Sequence, residues 1–298
     1  MKKTLIALLV LLLPLAAFAE GAQEAPLGTE GNPIVWSFVP SGDTNVIVAG
    51  GEEVADLIYD KTGLVIEVSI ATEYAGVIEA LSSDPPSAHM ASLATFAYVL
   101  AAERGVAEAA LVAVRYGSPT YNGQIIAGAD TGIDSVEDLE GATFARPDPL
   151  STSGWIIPML TMRAAGIDTE TDLEVVDAGG HTAVVTAVYN GDVDAGASFV
   201  DARVNIEEDN PDVMEKVKVI ALTADIPNDG VQFHPSVPDE IKDQIVTALL
   251  EISETEEGQE ALNIAYQWNE LVPRDDSFYD PFRQVLQSSG LDLQQFIE

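Results

Sequence analysis

Cysteine is absent from all 298 residues, which removes disulfides, a thiol nucleophile, thiolate metal sites and a lipid-modified cysteine at an export site. Basic residues are scarce: 13 Lys and Arg face 49 Asp and Glu, for a formal net charge of −36. A surface of that sign disfavours nucleic acid and anionic lipid as partners and reads as the solvated acidic coat of a protein suited to a salty habitat. It also repels anionic ligands at long range, so an anion site here must rely on local donors in a closed pocket. Histidine is confined to His89, His181 and His234, far apart and without a His-x-x-x-His pattern, so no metal site and no cofactor are expected. Beyond the N-terminus no segment is long and apolar enough to cross a bilayer.

That N-terminus has the three parts of a secretory signal peptide. Met1-Lys2-Lys3 precedes an apolar run from Leu5 to Ala17, and Ala17-Phe18-Ala19 sets cleavage after Ala19. A soluble, freely diffusing, monomeric protein of the periplasm is expected. Residues 20–32 are polar and Gly-rich and read as a flexible leader.

The remaining chain is long enough for two lobes with a core each. Ile34 to Val39 reads as a strand, Gly50 to Tyr59 as a helix, Val65 to Ile70 as a strand, and Ala75 to Ser82 and Thr95 to Arg104 as helices. A second run repeats the rhythm with strands at Gly123 to Ala127, Thr143 to Ala145, Leu173 to Val176 and Ala195 to Val200, and helices at Ser135 to Leu139, after Ser151, and at His181 to Asn190. Val217 to Leu222 reads as a strand, and the chain from Pro238 onward is helical in pattern. The alternation predicts an α/β fold with largely parallel sheets. One lobe is expected from residues 33–118 and 226–298, the other from 119–225, with crossings near 114–124 and 220–230 and a ligand cleft between the lobes.

Ser151-Thr152-Ser153-Gly154 is the most informative stretch, because three hydroxyls run straight into the apolar segment Trp155 to Met162. A helix start leaves N–H groups unpaired and carries partial positive charge, so backbone donors and hydroxyls can converge on one tetrahedral oxyanion without a lysine. Asp148-Pro149 upstream favours a turn, and Pro158 is tolerated if the helix starts near Ser153 or Gly154. The same four residues also fit an ordinary Ser/Thr helix cap.

Further polar groups stand where strands or loops meet helices: Tyr74, Tyr121, His181 in Gly179-Gly180-His181-Thr182, Asp201, and Asp229. Each alone reads equally as a packed aromatic, a structural histidine or a surface carboxylate. Together, the segments Glu73-Tyr74-Ala75-Gly76-Val77-Ile78, Asp148-Pro149-Leu150-Ser151-Thr152-Ser153-Gly154, Ala178-Gly179-Gly180-His181 and Ile226-Pro227-Asn228-Asp229 resemble the phosphonate-binding proteins of ABC importers, within the phosphate/phosphite/phosphonate group of periplasmic binding proteins. The resemblance runs from about Ile34 to Pro235.

The resemblance implies a type II two-lobed periplasmic binding protein that delivers a phosphonate to an inner-membrane permease. In it, Ser151, Thr152, Ser153 and His181 would hold the phosphonate oxygens, and Tyr74 and Tyr121 would close over the anion with phenolic O–H groups. Asp201 and Asp229 would receive a ligand ammonium, which points to an aminoalkylphosphonate such as 2-aminoethylphosphonate; inorganic phosphate, phosphite or a simple alkylphosphonate is the alternative. Asp201 also fits a helix cap or a pair with Arg203, and Asp229 a Pro-Asn-Asp-Gly turn. Phe199, Trp155 and Phe96 either line the ligand's carbon chain or pack the core, and Ala91 to Thr95 lacks an aromatic that would narrow the pocket. A Ser–His–Asp triad is disfavoured, since no Gly-x-Ser-x-Gly elbow is present and three crowded hydroxyls suit oxyanion binding better than one nucleophile. No enzymatic activity is expected. A sensor lobe using the same site cannot be told from a transport protein by sequence.

Overall fold

Asp43 starts the first helix: its carboxylate accepts the N–H groups of Asn45 and Val46 at 2.9 and 3.3 Å. Helix α1 then runs Thr44–Thr62 and ends where Gly63 takes the left-handed conformation at φ 73°. The helix begins well before Gly50 because Gly50 and Gly51 are packing glycines rather than a terminus. A Cβ on Gly50 would sit 2.4 Å from the backbone nitrogen of Ala265, so the glycine sets the close approach of two helices.

The computed structural model describes residues 25–296; the expected signal peptide lies outside them. Eleven strands are found among the described residues: β1 (Ile34–Phe38), β2 (Ile66–Ile70), β3 (Met90–Ser92), β4 (Glu108–Val114), β5 (Thr120–Gly128), β6 (Thr143–Arg146), β7 (Glu174–Asp177), β8 (Ala195–Phe199), β9 (Val217–Pro227), β10 (Gly230–Phe233) and β11 (Glu270–Pro273). They form a six-stranded sheet of order β11-β4-β10-β3-β1-β2 and a five-stranded sheet of order β7-β6-β8-β5-β9. The first draws on residues 34–114 and 230–273, the second on 120–227.

Both sheets are mixed rather than largely parallel. β1 pairs in parallel with β2 and β3, but β10 is antiparallel to β3 and β4, and β11 to β4. In the second sheet β6 is parallel to β7 and β8, while β5 is antiparallel to β8 and β9. Among the antiparallel members, β4 and β5 carry the chain from the first sheet to the second, and β9 and β10 carry it back, each without an intervening α-helix.

Helices α2 (Tyr74–Ser82), α3 (Thr95–Glu103), α4 (Ile157–Ala164), α5 (His181–Asn190), the short α6 (Val213–Lys216), α7 (Asp239–Ser253), α8 (Glu256–Tyr266) and α9 (Asp280–Ser288) complete the fold. Trp36, Phe38, Tyr98, Trp268 and Tyr279 are fully buried in the larger core, whereas Ile126, Val184, Val185 and Val188 form a separate cluster between α5 and the five-stranded sheet. Each such side chain contributes roughly 1.5–3 kcal/mol by leaving water. The leader is not free throughout: Gly28 N–H donates to Asn32, the Gly28 carbonyl accepts from Val65, and Leu27 packs on the core.

Candidate anion-binding site

The Ser151 loop forms a wide turn, not a plain α-helical start. Ser151 Oγ accepts the N–H of Gly154 at 3.2 Å, and the Ser151 carbonyl accepts from both Trp155 and Ile156. Residues Thr152–Ile156 thereby make a π-helical turn before α4 begins at Ile157, with Pro158 in its first turn. The wider ring turns the three hydroxyls inward; Ser151, Thr152 and Ser153 are all almost fully buried. Gly154 is required here, since a Cβ would meet the Pro147 ring at 2.3 Å.

Four turns and helices start at the same place, two over each sheet. The α2 start comes over by a carboxylate: Asp148 Oδ2 accepts the Tyr74 N–H at 3.0 Å while Oδ1 accepts that of Leu150 at 2.7 Å. The α3 start donates the Phe96 N–H to Thr152 Oγ1 at 2.9 Å. The α5 start donates the His181 N–H to the Ser41 carbonyl at 3.0 Å. Asp148 is held above its ordinary pKa by burial, which the two N–H donors partly offset. Ser41, Thr95 and Asp148 thus belong to the site's frame. The sequence marks Asp148 as a turn former within the loop segment and Thr95 only as part of Ala91 to Thr95, and gives no signal for Ser41 beyond its place in a strand-to-helix loop.

His181 is neutral, with its proton on Nε2. Burial drives its pKa down to about 3, and the backbone N–H of Phe199 donates to Nδ1 at 3.3 Å, so Nδ1 must be the acceptor. The Nε2–H faces Ser151 Oγ at a long 3.4 Å. Tyr74 and Tyr121 are raised by burial, Tyr121 to about 12, and both remain phenols at neutral pH. Each phenol also lies beside the loop, Tyr74 near Ser151 and Tyr121 near Ser153. Tyr121 lies on β5 next to Gly123, where a Cβ would stand 2.6 Å from the Ser153 carbonyl.

The expected hydroxyl, phenol and imidazole donors therefore come together. The two carboxylates arrive differently. Asp229 receives Arg115 Nη1 at 2.7 Å and Nη2 at 3.0 Å, with Trp268 Nε1 at 3.1 Å. Asp201 pairs with Arg203, whose Nη2 is 2.6 Å away, and accepts from Gln124 Nε2 at 3.2 Å. Gln124 stands on the face of β5 opposite that of Gly123, because strand side chains alternate. Each carboxylate thus has a guanidinium where a ligand ammonium was expected, which removes the repulsion argument for an amine. Of the aromatics, Phe96 packs on Phe296 and Trp155 on Phe144 and Arg146, whereas Phe199 stacks at 4.9 Å on His181 and lies at the site. A cavity of about 480 Å³ lies between Asp43 and the start of α5, lined by Gly42, Gly180 and Thr182 and by none of the donor side chains.

The family profile described as "ABC transporter, phosphonate, periplasmic substrate-binding protein" matches residues 36–279. The chain belongs to that family. It is 28% identical to the phosphate-import protein PhnD of Mycolicibacterium smegmatis over 93% of each chain, and 24% identical to the phosphonates-binding periplasmic protein of Escherichia coli over 76% of this chain and 67% of that one. Its fold is that of a phosphonate ABC transporter binding protein from Pseudomonas aeruginosa, with TM-score 0.77, 24% identity and 87% of each chain covered. PhnD1 of Prochlorococcus marinus, solved with methylphosphonate, shares the fold at TM-score 0.76 and 12% identity, over 86% of this chain and 97% of that one. The protein is accordingly a two-lobed α/β substrate-binding protein of the phosphonate ABC transporter family, and not an enzyme.

Proposed function

We propose that the protein is exported to the periplasm, closes as a monomer around one phosphorus oxyanion without a cationic substituent, and hands it to its importer. The lobes are residues 33–118 with 226–298, and 119–225. The carrying observation is the ring of neutral donors from both sheets: buried Tyr74 over the six-stranded sheet against half-buried Tyr121, Ser151, Thr152, Ser153 and the Nε2–H of His181 over the five-stranded one. Neutral donors bind an anion strongly in a dry site, since hydrogen bonds to charged acceptors are about twice as strong as neutral ones. Inorganic phosphate, phosphite and small alkylphosphonates fit this description. An aminoalkylphosphonate such as 2-aminoethylphosphonate is the second reading; it is favoured by the acidic pair Asp201 and Asp229 and requires the ammonium to share each carboxylate with an arginine.

Calorimetric titration against methylphosphonate, phosphite, phosphate and 2-aminoethylphosphonate at one pH and salt concentration tests both. Tightest binding of an amine-free anion is expected. Tightest binding of 2-aminoethylphosphonate, lost on Asp201→Asn or Asp229→Asn, establishes the second reading instead.

A further inference from the structure

Arg115 lies at the end of β4, where the chain leaves the six-stranded sheet. Every one of its five N–H groups is spent inside the protein. Nη1 donates to Asp229 Oδ1 at 2.7 Å and Asn228 Oδ1 at 3.0 Å; Nη2 donates to Asp229 Oδ2 and to the Tyr266 carbonyl, both at 3.0 Å; Nε reaches the same carbonyl at 3.3 Å. A guanidinium has no sixth donor, so Arg115 is not a clamp for the ligand's oxygens.

Its acceptors are as firmly held. Asn228 is fully buried, and its amide donates to the carbonyls of Ala113 and Ser118 at 2.9 and 3.0 Å. Trp268 Nε1 fixes Asp229 from the far side. The guanidinium carbon lies 6.0 Å from the Tyr121 ring centroid, and Tyr121 neighbours Ser153 in the Ser151 loop. One aromatic ring separates a half-buried, bidentate ion pair from the candidate anion donors.

Resting on the functional reading above, we infer that Arg115 is the specificity-determining residue of this site: it occupies the cation position opposite Asp229 and thereby selects phosphorus oxyanions that carry no ammonium. The carboxylate that would receive a ligand amine is already neutralised and geometrically satisfied, and an incoming ammonium meets a guanidinium beside it. Removing that charge while keeping a donor turns Asp229 into an open cation subsite.

The test is the ratio of the dissociation constants for 2-aminoethylphosphonate and methylphosphonate, measured calorimetrically on the unmodified protein, Arg115→Gln, Arg115→Lys and Asp229→Asn. In Arg115→Gln the ratio is expected to move toward the amine by roughly tenfold or more, the weight of one hydrogen bond to a charged group; Arg115→Lys is expected to keep the ratio of the unmodified protein. Asp229→Asn, which leaves the guanidinium uncompensated, is expected to tighten methylphosphonate itself. A folded Arg115→Gln protein that binds methylphosphonate with an unchanged ratio overturns the assignment while leaving the functional reading in place. If Arg115→Gln does not fold, an Asp229→Asn protein that binds methylphosphonate no more tightly than the unmodified one overturns it. Failure of the unmodified protein to bind either ligand defeats the functional reading, and the assignment with it.

Discussion

Phe96 donates its backbone N–H to the hydroxyl oxygen of Thr152 at 2.9 Å, joining the start of α3 over one sheet to the oxyanion loop of the other. Because that lone pair is taken, the hydroxyl proton is left to donate to an anion. Thr152→Val keeps the shape and loses both bonds, and is expected to weaken phosphonate binding by about 1–3 kcal/mol. Thr152→Ser should restore most of the affinity in the same titration; a Val variant with full affinity removes Thr152 from the site.

Tyr74 and Ser151 belong to elements over opposite sheets and lie next to each other, and the proposed function has both donate to one anion. Tyr74→Phe and Ser151→Ala are each expected to weaken binding by about 1–3 kcal/mol. Because the two groups touch, the double variant should depart from additivity by about 0.5 kcal/mol or more. Strict additivity in a double-mutant cycle would mean the two hydroxyls do not share an anion.

His181 gives the protein a pH signature in stability. Its pKa is lowered to about 3 by burial, so between that value and the ordinary 6.5 the unfolded chain binds a proton that the folded one does not. Stability from this group is complete above pH 6.5 and declines as pH falls, by up to about 1.4 kcal/mol per unit. Urea unfolding of His181→Gln should show a shallower acid decline than the unmodified protein over pH 6.5 to 4. Parallel profiles would show that the imidazole titrates normally.

Gly123 lies where β5 passes under the oxyanion loop. A methyl group there meets the Ser153 carbonyl at 2.6 Å, so Gly123→Ala must displace either the strand or the loop. Overpacking of this kind costs about 1–3 kcal/mol. Thermal unfolding and titration should both record a loss, the titration more severely, since the displaced loop carries the donors.

The net charge of −36 predicts a midpoint of thermal unfolding that rises between low and molar salt, as screening relieves self-repulsion. An unchanged midpoint in sodium chloride would mean that the carboxylates are already compensated in the fold.

Much of the order of strands and helices was legible because hydrophobic spacing is local. The α1 face Ile47, Val54, Ile58 and the alternation of β2 can be counted along the chain. β3, β4, β10 and β11 were not foreseen. β3 has three fully buried residues and no alternation to count, and Ala-rich β4 has no helix-or-strand signature until β10 and β11 flank it. The antiparallel returns were hidden for the same reason: strand direction depends on a partner far along the chain, as Gly123 pairs with Phe199 and Gly230 with Val112.

The sequence by itself determined the export signal's expectation, the alternation of elements and the absence of thiol chemistry, because each is a property of residue type at a local chain position; it marked Tyr74, Tyr121, Ser151, Thr152, Ser153 and His181 as candidate donors through their resemblance to the phosphonate-binding family. Only the tertiary structure decided the state of the carboxylates. Asp229 and Arg115 are 114 residues apart and meet because β4 and β10 are paired, and Asp201 is turned toward Gln124 and Arg203 by the end of β8. Asp201 meets a cation two residues along the chain, a pairing local spacing allows, whereas the cation that reaches Asp229 is brought by a chain crossing no local pattern encodes.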